Sequence, residues 1–162
     1  MRQLSPLEWA LRPLKRYADF KGRAPRAEYW WFYLATLIVD RVLSFIDKQA
    51  GTDDSLSSIF ALAIVVPWIA VTVRRLHDSD RTGWWLLIFV VPLAGFTAFA
   101  VQAGYAGGGA VEDSPVPFFG LVALTVVAGI TLFVFMVLDG TAGPNRYGAD
   151  PYGPDQLEEI FA

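Results

Sequence analysis

Four stretches of this chain are almost continuously apolar: about Tyr29 to Ile46, Leu56 to Val73, Trp84 to Ala103 and Pro117 to Leu138. Each is near the ~17 to 25 residues that carry an α-helix across the hydrocarbon core of a bilayer. In lipid every backbone N–H and C=O needs an internal partner, and a helix supplies one within each segment. The pattern therefore predicts an all-α, polytopic membrane protein with four transmembrane helices packed as a bundle.

A different periodicity precedes them. Ser5, Pro6 and Glu8 match an N-cap, an N1 proline and a capping-box acid, and Leu7, Leu11, Leu14 and Ala18 then recur at helical spacing. A short amphipathic helix is expected, with Pro13 breaking or kinking it. Arg12, Lys15 and Arg16 occupy its other side, so the arm either lies in the headgroup layer or packs across one end of the bundle. The division that follows is a cytoplasmic arm over residues 1–28, a membrane domain over 29–138 and a cytoplasmic tail over 139–162.

Charge orients the spans. Arg2, Arg12, Lys15, Arg16, Lys21, Arg23 and Arg26 precede the first, Arg74, Arg75 and Arg81 follow the second, and Arg146 lies in the tail. The other two loops hold Lys48 with Asp47, Asp53, Asp54, Glu112 and Asp113. The positive-inside rule then puts both termini and the second loop in the cytoplasm of a bacterium, with the spans in its inner membrane. The N-terminus lacks the pattern of a secretory signal, so no cleavage is expected. The glycine-rich stretch Gly104 to Gly109 lacks a Lys-Ser/Thr ending and reads as an external connection.

The 162 residues are 54% hydrophobic, as a membrane protein requires, and the net charge of -3 argues against a nucleic-acid partner. The chain has no cysteine and one histidine. Disulfides, thiolate nucleophiles and conventional zinc sites are therefore excluded, and no metal, cofactor or catalytic residue is expected.

Two sets of polar residues are candidates for function. Within the first span, Tyr29, Tyr33, Thr36 and Asp40 fall on one helical face, with Arg41 beside them. Charge there is costly, so Tyr33, Thr36, Asp40 and Arg41 form a candidate intramembrane polar site, as in a small oligomeric channel or transporter. The plainer account pairs Asp40 near the outer headgroups and lets Arg41 snorkel. Pro67, Pro92 and Gly95 are expected to bend the second and third spans.

The second set clusters between the second and third spans, in the run from Arg74 to Trp85. Arg74, Arg75 and Arg81 suit the negative end of a helix dipole and lipid phosphates, His77 and Asp78 can order one another, and Trp84 and Trp85 can anchor the next helix. Phe20 to Trp30 and Asp139 to Gly148 fall on the same predicted side. Together the three segments predict a polar cap in which Arg23, Arg26, Glu28, Arg74, Arg75, His77, Asp78, Arg81, Asn145 and Arg146 bind an anionic lipid, a phosphorylated ligand or a protein partner. Enzymatic chemistry on a lipid-linked substrate would need His77 as proton carrier, but no nucleophile or oxyanion motif accompanies it.

The three ordered motifs, Phe20-x-Gly22-Arg23-x-x-Arg26-x-Glu28-Tyr29-Trp30, Arg74-Arg75-Leu76-His77-Asp78 with Gly83-Trp84-Trp85, and Gly140-Thr141 with Asn145-Arg146-Tyr147-Gly148 and Asp150-Pro151, resemble the YhaH-type inner-membrane family classed as domain of unknown function 805. The resemblance covers about Leu14 to Pro151. It implies a small multi-helix inner-membrane protein and carries no catalytic residues across. Membrane lipids, a second copy of the chain or another membrane protein are the expected partners.

Overall fold

The computed structural model describes residues 4–105 and 115–152. Among these residues five α-helices follow in order: α1 (Pro6–Lys15), α2 (Arg26–Ala50), α3 (Ser55–Asp78), α4 (Leu87–Tyr105) and α5 (Pro115–Val137). No strand occurs among the described residues, and four helical stretches are long and apolar enough to span a membrane. The fold is the all-α, four-span architecture with a short N-terminal amphipathic helix.

Two compact units make up the chain. One contains α1, α2, α3 and the segment after residue 138, and the other runs from Gly83 to Leu138. In the first unit α1 packs on α2 and α3, and α2 and α3 pack on each other. Ser5 caps α1 as the sequence predicts: its hydroxyl accepts from the Glu8 N–H at 3.3 Å, and the Glu8 carboxylate accepts from the Ser5 N–H at 2.6 Å. Pro13 does not break α1, which continues to Lys15.

The α2–α3 connection is short because both ends are locally satisfied. Gly51 ends α2 in the left-handed conformation at φ 68°. Asp47, one turn earlier, caps the start of α3: its carboxylate accepts from the Leu56 and Ser57 N–H groups at 3.1 and 3.0 Å and from the Thr52 hydroxyl at 2.6 Å. The donors left open at a helix N-terminus are thus met by the preceding helix.

Several boundaries differ from the hydropathy reading. The helix of the first span, α2, begins at Arg26 and that of the second, α3, ends at Asp78, so Arg74 to Asp78 are helical and the turn is confined to residues 79–82. Hydropathy marks where the apolar run stops, whereas the backbone stays helical as long as its polar side chains find partners. The helix continues through Pro67 and through Pro92.

The second unit opens with a 3-10 turn at Gly83–Leu86, which displaces the start of α4 from Trp84 to Leu87. Trp85 meets Phe135 of α5 edge to face at 5.3 Å, and Phe89 lies against Gly129. Trp84 is 77% exposed, as suits an interfacial anchor. Most of the expected glycine-rich connection lies outside the described residues.

Candidate functional site

The polar cap forms within the first unit, where three segments distant in sequence converge. Asp78, at the end of α3, is its centre. Arg23 Nε donates to Asp78 Oδ1 at 2.9 Å, and Arg75 donates to Asp78 Oδ2. Arg23 also donates to the carbonyls of Gly143 and Thr141, each at 2.6 Å. The Thr141 N–H returns to the Asp78 carbonyl at 2.9 Å, and the Asn145 amide donates to the His77 carbonyl at 2.9 Å. Through its carboxylate and its carbonyl, Asp78 thus holds the N-terminal segment, the helix end and the C-terminal turn together.

A second network lies beside it. Glu28, in the first turn of α2, stands 3.0 Å from Arg74 and 3.6 Å from Arg12. Glu28 and Arg74 are fully buried, yet the approach is an ion pair by distance only. Neither carboxylate oxygen of Glu28 and no guanidinium nitrogen of Arg74 has a well-directed hydrogen bond among the described residues. Among the described residues, the guanidinium groups of Arg12 and Arg74 face the Glu28 carboxylate, and those of Arg23 and Arg75 face that of Asp78.

The candidate residues therefore divide. Arg74 and Arg75 are buried and turn inward, away from any headgroup. Arg26 pairs with Asp139, and Arg146 pairs with Asp80 at 3.1 Å while its guanidinium sits 4.9 Å above the Tyr147 ring. Arg81 donates to the Ser79 carbonyl at 3.0 Å. The His77 ring stacks on Tyr147 at 3.8 Å with planes 4° apart, and its Nδ1 lies 3.2 Å from the Gly22 carbonyl. A carbonyl only accepts, so Nδ1 carries the proton. Held on both sides, this ring serves as a spacer between Gly22 and the C-terminal turn.

A cavity of about 210 Å³ stays open beside the networks, lined by Arg12, Arg16, Arg23, Gly22 and Pro25 with Gly148, Ala149 and Pro151. Three guanidinium groups meet there, and none of the lining residues is acidic. Arg16 is positioned by Asp19, which accepts from its Nε at 2.9 Å and its Nη2 at 2.6 Å. Burial works to raise the Asp19 carboxyl, but the Lys21 N–H and the Arg16 guanidinium hold it below the usual carboxylate value, so it stays charged.

Arg12 and Arg16 are absent from the sequence-derived site because they sit on the polar side of the arm helix, where cations are ordinary. Gly140 and Thr141 are also part of the construction. A Cβ on Gly140 would lie 2.3 Å from Asp78 Oδ2, so only glycine fits against that carboxylate. Their place in the third motif was the available signal.

The intramembrane candidates are not brought together in this way. Asp40 pairs with adjacent Arg41 at 3.2 Å, and the Thr36 hydroxyl donates back to the Phe32 and Tyr33 carbonyls, both at 3.0 Å. Tyr33 stacks on Tyr29 at 6.5 Å. Among the described residues no cluster of histidine, cysteine, aspartate or glutamate could hold a metal ion.

The model for a family of proteins of unknown function, DUF805, matches residues 17–149. This chain belongs to the DUF805 family. The match takes in the first two motifs and the third as far as Gly148, and it begins after Arg12 and Arg16. Among its relatives, inner membrane protein YhaH of Escherichia coli (strain K12) is 34% identical over 150 residues, covering 90% of this chain and 97% of that one. Inner membrane protein YhaI of the same organism is 35% identical over 146 residues, covering 90% and 96%. No solved structure matches. With its four apolar helices, this DUF805 member is a multi-pass inner-membrane protein.

Proposed function

We propose that the cap is a binding site for an anionic, phosphate-bearing group on the cytoplasmic face of the inner membrane. The cavity where Arg12, Arg16 and Arg23 converge without an acidic lining residue carries this reading. A guanidinium presents a planar fork of donors that matches phosphate oxygens, and three such groups around a small cavity favour an anion over a neutral ligand. The cytoplasmic assignment is supported by the concentration of arginine and lysine in residues 2–26 and 74–81.

Headgroup phosphate and a soluble phosphate ester offer the same chemistry, and the experiment separates them. Native mass spectrometry of the detergent-solubilised protein should retain phosphatidylglycerol over phosphatidylethanolamine, with retention reduced about tenfold or more in an Arg12→Gln, Arg16→Gln variant. That follows from about 1.5 to 3 kcal/mol for a hydrogen bond to a charged group. Competition by glycerol phosphate at equal affinity assigns the site to soluble ligands. Equal retention of both lipids by wild type and variant, with no glycerol phosphate bound, refutes the proposal.

A further inference from the structure

The cap does not account for the outward side of α1. Leu7, Leu11 and Leu14 share one side of this helix and are 66%, 42% and 40% exposed. Ala10 and Pro13, on the neighbouring side, are buried as α1 packs on α2 and α3. The helix turns a narrow stripe of small side chains to the protein and a stripe of leucines away from it.

Tyr17, two residues past α1, fixes the depth of the arm. Its hydroxyl donates to the Ala63 carbonyl of α3 at 2.6 Å. In a regular helix that carbonyl accepts from residue 67, which here is Pro67 and has no N–H. Tyr17 supplies the donor that the proline lacks, inside a span where water is not available to do so. Ala63 precedes the end of α3 by fifteen residues, about 22 Å at a rise of 1.5 Å per residue, against a hydrocarbon core of about 30 Å. One phenol side chain covers only a fraction of that distance, so the backbone at Tyr17 runs beside α3 and not over its end.

We infer that α1 is sunk into the leaflet beside α2 and α3, with Leu7, Leu11 and Leu14 against acyl chains and Lys15 reaching the headgroups. The occupant of the leucine face is lipid. Hydrocarbon surrounds the spans at the depth that the Tyr17 bond marks, and Arg12, Lys15 and Arg16 near the helix end complement anionic headgroups above it. The inference is independent of the anion cavity.

The chain contains no cysteine, so single nitroxide labels can be placed without a background. In proteoliposomes, labels at Leu7→Cys, Leu11→Cys and Leu14→Cys should be relaxed several-fold more by oxygen, which concentrates in hydrocarbon, than by a water-soluble nickel chelate. A label at Lys15→Cys should show the reverse. Leucine sites that favour the nickel chelate would place the arm in water and overturn the inference. Exclusion of both reagents would overturn it too, by showing that a protein covers the face. Adding Tyr17→Phe should shift the Leu11 label toward the nickel chelate, and an unchanged depth would refute the anchoring role of the hydroxyl.

Discussion

Asp78 serves two arginines and a backbone turn at once, so single substitutions around it should have unequal costs. Asp78→Asn removes the negative charge that stands between Arg23 and Arg75, two side chains buried with it. Breaking a buried pair from one side costs about 3 to 5 kcal/mol, and a drop in the thermal midpoint of the purified protein should report it. Gly140→Ala should lower the same midpoint by overpacking, at about 1 to 3 kcal/mol, because its Cβ has no room beside the Asp78 carboxylate. Asp150 carries a pH dependence. The Tyr152 N–H at 2.9 Å, opposed by burial and aided by the Gly143 N–H at 2.9 Å, holds its carboxyl below the usual value. A depressed acid contributes its stability above its unfolded value of about 3.9, and that contribution is lost as pH falls through the folded value. Amide exchange in residues 140–152 should therefore stay slow down to about pH 4, after correction for intrinsic rates, and speed up below it. Uniform protection down to pH 2 would contradict this.

The helices themselves were legible to different degrees. Apolar length announced α2, α3, α4 and α5, and the Ser5-Pro6-Leu7-Glu8 signature announced α1. Their ends were less legible, because hydropathy stops at the first arginine and the hydrogen-bonded backbone does not. Arg74 and Arg75 read as a loop for that reason and prove to be buried helix. Asp47 makes the same point at the other end of α3. Read as one acidic residue of an outer loop, it closes the α2–α3 hairpin by accepting from two N–H groups and a hydroxyl. Asp47→Ala should cost about 1 to 2 kcal/mol, as loss of a helix cap does. Hydrogen exchange should localise the effect to residues 55–58, and exchange there equal to wild type would show that the capping bonds are dispensable.

For the whole molecule the charge bias makes a topological prediction. Lys48→Cys should react with a membrane-impermeant maleimide in intact spheroplasts, whereas Asp150→Cys should react only after permeabilisation. The reverse pattern would move the cap to the periplasmic side and remove cytoplasmic ligands from consideration. What the sequence alone determined is the membrane class, the all-α fold, the span count and the family, because each follows from apolar run length or from ordered local motifs. It also singled out the three segments that build the cap. The tertiary structure decided which carboxylate and which opening each cation faces. Arg74 and Arg75 face buried carboxylates, while Arg12 and Arg16, unremarkable on an amphipathic helix, line the open cavity with Arg23. It also matched Tyr17 to the carbonyl freed by Pro67, forty-six residues away from the tyrosine. The physical reason is common to these cases. A charge or an unpaired carbonyl is a local property of the chain, but its partner is chosen by packing, and no spacing rule connects residues that only the fold brings within 3 Å.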